Sequence, residues 1–344
     1  MAKKKKLNKQ QQRRLSANQS RKLSRKNQAP EPESSMLGPA LSGLVISRYG
    51  QHADIENEQG ELKRCDLRRS VRSLVAGDQV VWRELLDGQG GSDGVVEAVE
   101  ERKSVLTRPD YYDGLKAVAA NIEQVVVLSS IKPDLSLQII DRYLVAVEHM
   151  GAQPIIAINK IELLSADELT QVKNDLAYYE QIGYKVYFVS VKDDIGVASL
   201  LAELNQQVSI VVGQSGVGKS SLVNILLPET NADVGAISDN SGLGQHTTTV
   251  ARLYHMPSGG RLIDSPGIRE FSLWHLTPED IFDGFIEFGQ YKTCKFRDCK
   301  HKDDPKCGIR EALERGLISQ SRFDNYHRII ESLAQDKPNR FVEL

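Results

Sequence analysis

Between about residues 37 and 105, apolar and polar residues alternate in short runs separated by turn residues. Leu41–Ser47, His52–Glu56, Gly60–Cys65, Asp78–Trp82 and Gly94–Glu100 each show this pattern. It predicts strands with one face buried. Five short strands in so few residues suit a small barrel, with the OB-fold as the leading candidate. Barrels of this kind often bind RNA or single strands, stacking bases on aromatic side chains. Aromatic residues are few here (Tyr49 and Trp82), so a barrel that makes only protein contacts fits the pattern equally.

The pattern changes between about 106 and 275. Continuous apolar runs at Gln124–Leu128, Pro154–Ile158, Lys185–Val189 and Val208–Val212 predict buried parallel strands. Leu137–Met150 and Ala166–Ile182 have helical periodicity between them. Strands alternating with helices predict a doubly wound α/β domain. Beyond 276 the pattern is mostly helical, interrupted by a cysteine and histidine cluster. Residues 1–36 are charged and polar, and they read as a disordered tail with a linker at Ala29–Ser35.

Charge sharpens the picture of the tail. Residues 1–30 hold 11 of the 44 lysines and arginines and no acid, leaving 46 acidic against 33 basic residues in the remainder. A basic arm on an acidic body is suited to polyanions, with nucleic acid favoured because the arm has no apolar face for a membrane. A merely solubilising tail is the alternative. No run of about 18 apolar residues occurs, so no membrane span is expected. The basic N-terminus lacks the apolar core of a secretory signal. Three of the four cysteines lie between 294 and 307, unlike a disulfide framework. A cytoplasmic location is expected.

Gly213-Gln-Ser-Gly-Val-Gly-Lys-Ser220 matches G-x-x-x-x-G-K-[ST] and stands between an apolar strand ending at Val212 and a helical run, Ser221–Leu227. That is the context a phosphate loop requires. Its glycines let successive N–H groups of Gly213, Gln214, Ser215, Gly216, Val217 and Gly218 curl around a β-phosphate, and the helix N-terminus adds its dipole. Lys219 is expected at the β- and γ-phosphates, Ser220 on Mg²⁺, and Ser221 within the binding loop.

Asn159-Lys160-Ile161-Glu162 follows the strand Pro154–Ile158 and resembles the Asn-Lys-x-Asp motif that reads guanine in translation-factor-like GTPases. There the carboxylate accepts from N1–H and the exocyclic amine, a donor pair that adenine lacks. Here the last residue is Glu162, whose extra methylene displaces the carboxylate by about 1.5 Å unless the loop compensates. Val189-Ser-Val-Lys192 resembles the loop that backs the base. Asp264-Ser-Pro-Gly267 follows the strand Arg261–Ile263 and matches D-x-x-G. Asp264 is expected to hold Mg²⁺ through water, and the Gly267 N–H to sense the γ-phosphate. Thr247 and Thr248 fit a switch loop whose threonine reaches Mg²⁺ only when γ-phosphate is present, with Thr248 the expected ligand. The base motif precedes the phosphate loop, so the motif order is circularly permuted relative to ordinary GTPases. A doubly wound sheet tolerates this because its termini lie close together.

The glutamine that orients water one position after D-x-x-G is replaced by Ile268. His246, beside the threonines, is the candidate for that role; a surface histidine in a glycine-rich loop is the alternative. Slow intrinsic hydrolysis accelerated by a partner is expected.

Cys294-x₄-Cys299-x-His301-x₅-Cys307 supplies three thiolates and one imidazole, a full tetrahedral Zn²⁺ set with no open position. The flanking residues are too polar to form a core, so a structural metal would supply the folding energy. Cys65 is expected to be a lone thiol.

Taken together, the basic tail, the OB-like barrel, G-Q-S-G-V-G-K-S-S, D-S-P-G-I-R-E and the Cys/His spacing resemble the ribosome small subunit-dependent GTPase A family (RsgA, also called YjeQ), over about residues 37–335. The resemblance implies a GTPase that binds the 30S subunit, contacts 16S rRNA through barrel and zinc module, assists late maturation, and hydrolyses GTP to GDP with ribosome stimulation. The division expected is a disordered basic tail (1–36), an OB-fold RNA-binding domain (37–105), a circularly permuted P-loop α/β GTPase domain (106–275) and a mostly helical zinc-binding domain (276–344). A monomer is expected. Two rivals are an RNA-bound scaffold locked by nucleotide with incidental turnover, and an enzyme acting on a small molecule.

Overall fold

The computed structural model describes residues 37–336 apart from 72, 87–90, 111–113, 229–249, 265–272 and 274. The basic tail, His246, Thr247, Thr248, Gly267 and Ile268 lie outside the described residues. The described residues divide into two compact units, the first holding those up to Ile122 with two short later segments and the second holding most of the remainder.

In the first unit, β1 (Leu41–Tyr49), β2 (His52–Glu56), β3 (Leu62–Leu67), β4 (Gln79–Glu84) and β5 (Gly94–Val99) form the expected barrel. β1 pairs antiparallel with both β2 and β4, β2 with β3, and β4 with β5, while β3 and β5 run parallel. The ring of pairings is therefore closed, which removes exposed strand edges. A register shift between Val45 and Ser47 lets β1 serve both neighbours. Inside lie Val45, Ile55, Cys65, Val80, Trp82 and Val96. The Trp82 indole N–H donates to the Ser42 carbonyl at 3.1 Å, so its one polar atom is satisfied inside the apolar fill. Cys65 is a free, buried thiol, and burial pushes it up to about 12. A hairpin that sequence patterning did not resolve follows the barrel: β6 (Val105–Asp110) pairs with β7 (Gly114–Ala120). Residue Arg102 anchors the chain leading into it, gripping buried Asp78 with two bonds of 2.7 and 2.8 Å.

The second unit alternates strand and helix as its sequence predicts. Its elements are β8 (Gln124–Ser130), α1 (Leu137–Met150), β9 (Gln153–Asn159), α2 (Ala166–Gln181), β10 (Lys185–Phe188), α3 (Val197–Glu203), β11 (Val208–Val212) and α4 (Lys219–Leu226). Two further strands follow, β12 (Arg252–His255) and β13 (Arg261–Asp264). β12, most of which belongs to the first unit, and α3 were not anticipated. The parallel order is β10-β9-β8-β11-β13. The chain steps outward from β8 to β10, then returns to lay β11 on the other side of β8. Crossovers diverge at β8 and β11, and their carboxyl ends are where a doubly wound sheet binds its ligand.

The C-terminal part is helical, as expected: α5 (Pro278–Asp283), α6 (Gly308–Glu314) and α7 (Gln320–Asp336). Thr277 starts α5 with a capping box to Asp280, satisfying two of its free N–H groups. Phe282, Phe285, Phe288, Ile309, Tyr326 and Ile329 build a core that includes Val145 of α1. Phe285 and Phe288 meet the Tyr326 ring at 5.5 and 5.4 Å, the edge-to-face contacts that aromatic quadrupoles favour.

Candidate nucleotide site and metal centre

The loop after β11 is drawn tightly against the loop after β9. Asn159, buried at the end of β9, donates from Nδ2 to the Val217 carbonyl at 2.9 Å and accepts the Val191 N–H on Oδ1 at 3.1 Å. One side chain thus ties the phosphate-loop sequence to the 190–192 loop. Gly218 makes the approach possible: a Cβ there would lie 2.3 Å from Asn159 Nδ2, and its φ is +102°. Lys160, at φ +65°, turns its ammonium inward and donates to the carbonyls of Lys132 and Gly216, each at 2.6 Å. The backing loop is closed on itself by reciprocal Ser190 and Ile195 backbone bonds and by Asp193 N–H donating to Ser190 Oγ at 3.1 Å.

Lys219 opens α4 and donates to the carbonyls of Gly213, at 2.7 Å, and Gln214. Ser220 and Ser221 are exposed on the first turn of that helix, and Val217 is buried beneath the loop. Gly213, Gln214, Ser215 and Gly216 curve between β11 and α4, with Ser215 and Gly216 on the surface. These backbone N–H groups at a helix start, together with a lysine, constitute an anion cradle.

Glu162 lies in the single 3-10 turn Ile161–Leu163 that follows Lys160. Its Oε2 is buried and accepts no hydrogen bond among the described residues. A buried carboxylate oxygen left without a donor is costly, and such exceptions mark sites where something else supplies the donor. Guanine presents two N–H donors on one edge, which suits that oxygen. Asp264 is exposed at the end of β13.

The four residues of the metal motif converge: their ligand atoms all lie within 4.8 Å of one another. Cys294 Sγ and Cys307 Sγ are 3.8 Å apart, and His301 Nδ1 lies 3.5 and 3.3 Å from them. Sulfurs held about 2.3 Å from one tetrahedral centre are separated by about 3.8 Å, so the donor set fits a single tetrahedral metal. His301 adopts φ +60° to present Nδ1 inward. Gly308 follows the last ligand, and a Cβ there would meet the Tyr291 carbonyl at 2.3 Å. That close approach lets the 291–294 segment fold onto the start of α6. Burial and the neighbouring thiols push the Cys299 thiol up to about 12, and burial also raises Cys307. Grouped thiols in a half-buried knot resist ionisation, and a cation is what would make thiolates there stable.

A buried ionic cluster ties these helices to the α/β layer, and sequence reading did not find it. Arg322 of α7 is 1% exposed; it donates to both Glu287 oxygens at 2.8 Å and to Asp141 of α1 at 2.8 Å. Asn325 and the Tyr179 hydroxyl of α2 complete the Asp141 carboxylate, each at 2.7 Å. Burial alone would depress the Arg322 guanidinium, but the two carboxylates outweigh it and hold it well above its ordinary range. No local sequence signal joins residues 181 positions apart.

Comparison with known proteins agrees with this geometry. Residues 99–274 match the RsgA GTPase family model. Over 342 residues the chain is 59% identical to the small ribosomal subunit biogenesis GTPase RsgA 1 of Vibrio vulnificus YJ016, covering 99% of this chain and 97% of that protein. The chain belongs to the RsgA GTPase family. A further family member, the small ribosomal subunit biogenesis GTPase RsgA of Vibrio cholerae, is 57% identical over 99% of this chain and 89% of its own length. Among solved structures, YjeQ from Thermotoga maritima superposes with a TM-score of 0.69 at 34% identity, covering 86% of this chain and 99% of that one. YloQ, described as a circularly permuted GTPase, gives a TM-score of 0.69 at 26% identity over 90% of this chain and 99% of that one. The chain is thus a circularly permuted GTPase. No helix among the described residues is long and apolar enough to cross a membrane.

Proposed function

We propose that this GTPase acts on the small (30S) ribosomal subunit during its late maturation, and that contact with the subunit stimulates GTP hydrolysis. The observation that supports guanine recognition most directly is the buried, undonated Oε2 of Glu162 beside an Asn159 that welds the base loop to the phosphate loop. In this reading Asn159, Lys160, Ile161 and Glu162 hold the base. Residues Gly213–Ser221 wrap the phosphates, with Lys219 on the β- and γ-phosphates. Ser220, Thr248 and Asp264 serve Mg²⁺, Gly267 senses the γ-phosphate, and His246 orients water. Zn²⁺ on Cys294, Cys299, His301 and Cys307 is structural, because four protein donors leave it no open position. The names of the relatives support the 30S partner, and 16S rRNA is its chemically natural contact for the basic tail. The domain division is the one read from sequence, with 1–36 as tail, 37–105 as RNA-binding barrel, 106–275 as GTPase and 276–344 as zinc module. The protein acts as a cytoplasmic monomer. Nucleotide competition tests the site: GTP and GDP displace a bound fluorescent guanine nucleotide, ATP does not, and Lys219→Ala binds none. Equal competition by ATP would remove the guanine assignment.

A further inference from the structure

The three thiols of the metal knot are not equivalent. Cys294 and Cys299 are half-buried, whereas Cys307 is 2% exposed and belongs to the aromatic core. The Cys294 and Cys307 sulfurs lie 3.8 Å apart. One residue inside that pair, the Lys295 N–H donates to the Lys306 carbonyl at 3.2 Å. The backbone therefore already closes where a bond between these two sulfurs would close it. The fourth cysteine, Cys65, is fully buried in the barrel, so an oxidised sulfur in the knot finds its partner within the knot.

The segment enclosed by the pair is built differently. It carries Lys295, Phe296, Arg297, Lys300, Lys302 and Lys306, all exposed. Lys302 pairs with Glu331 of α7 at 3.1 Å, but the two side chains are 62% and 63% exposed, and such a pair contributes little. The Lys300 N–H donates to Asp304 within the segment itself. His301 packs on Phe282, ring centroids 5.0 Å apart, and its backbone bonds the His327 ring. A metal joins this basic loop, through Cys299 and His301, to both of its ends, Cys294 and Cys307.

A metal also holds the sulfurs as thiolates, the nucleophilic form. The half-buried Cys294 thiolate can attack one oxygen of hydrogen peroxide. The O–O bond breaks, hydroxide leaves and a sulfenic acid remains. The Cys307 thiolate then attacks the Cys294 sulfur, forming the S–S bond and releasing a second hydroxide. Two electrons pass from sulfur to peroxide, and both hydroxides take protons from solvent to become water. Cys299 and His301 are then the only donors left, too few for a tetrahedral ion. We propose that Cys294 and Cys307 form a thiol switch: peroxide joins them, the zinc is lost, and the basic loop between them loosens, which weakens subunit binding and spares the nucleotide site. The effect on binding rests on the 30S partner proposed above.

The test treats the full-length, metal-loaded protein with hydrogen peroxide in molar excess and follows zinc with a colorimetric chelator. About one zinc per chain should be released, and peptide mapping should find Cys294 joined to Cys307 with Cys65 still reduced. Trypsin should newly cut within 295–306 while α6 and α7 stay protected. Affinity for 30S subunits should fall about tenfold at low salt, with a shallower salt slope, as phosphate contacts are lost. Guanine nucleotide binding should not change, and dithiothreitol with added zinc should restore subunit affinity. Zinc retained, a sulfinic acid in place of the disulfide, or a disulfide through Cys299 would overturn the switch. Undiminished subunit affinity in the fully oxidised protein would overturn its effect on binding. Untreated protein that fails to bind 30S subunits would overturn the proposed function and this effect with it; zinc release and the disulfide map are read without the subunit and still decide the thiol chemistry.

Discussion

Two buried polar clusters in the second unit behave in opposite ways. Around Arg322 every donor and acceptor named has its partner: two bonds to Glu287 and one to Asp141 Oδ1, which Tyr179 shares, with Asn325 on Asp141 Oδ2. Around Asn159 the hydrogen bonds are as well ordered, yet three residues on, in the same base-loop motif, Glu162 Oε2 is buried with no donor among the described residues. A polar network that only maintains a fold closes on itself, because each unpaired buried atom costs about 1–3 kcal/mol. A network that reads a ligand stops one partner short. The open end is therefore informative about function, and the closed cluster is informative about docking of α7 on α1 and α2.

The comparison can be broken in several places, and the largest effect concerns the metal. Stripping the metal with a chelator should unfold residues 276–336 locally, since a structural zinc contributes on the order of 10 kcal/mol of folding energy. Limited proteolysis should then cleave there, while guanine nucleotide binding persists. Continued protease resistance with metal confirmed absent would contradict a structural role. Next in size, Arg322→Ala leaves two buried carboxylates unpaired and should cost about 3–5 kcal/mol in denaturant unfolding. A loss below about 1 kcal/mol would show that the cluster is not a buried ionic network.

Glu162→Gln sharpens the contrast, because it changes the open end without exposing a new charge. GTP affinity should fall by about 1.5–3 kcal/mol, the range of hydrogen bonds to a charged group, with folding stability unchanged. Xanthine nucleotide, whose carbonyl replaces the guanine amine, should gain affinity. The smallest expected effect is at Tyr179→Phe, which removes one of the hydrogen bonds on Asp141 and should cost about 1 kcal/mol of stability with no change in nucleotide binding.

What the sequence revealed and what it hid follow from how far apart the interacting residues lie. The phosphate loop, the base motif and the Cys/His set are local patterns, so spacing alone pointed to them, and the fold brings Asn159 against Val217 and the four metal donors together. Five barrel strands were legible from alternation, although the closing pair, β1 with β4, depends on the register shift after Val45. The β6–β7 hairpin was missed, because its short runs border the α/β pattern and merge with it. Arg322 looks like any surface arginine on a polar helix until Asp141 and Glu287 close around it. Tyr49 looks isolated in the sequence because the arginines beside it come from β3 and β12. The extra methylene of Glu162 was visible as a departure, but only the coordinates show a buried oxygen aimed at no protein donor.

The most direct test of the account is GTP hydrolysis by the full chain, measured with and without purified 30S subunits and with Lys219→Ala as the blank. The account predicts slow intrinsic turnover, strong stimulation by 30S subunits, and neither in the variant. Tight GTP binding with no stimulation by 30S subunits would contradict it and favour a nucleotide-locked scaffold.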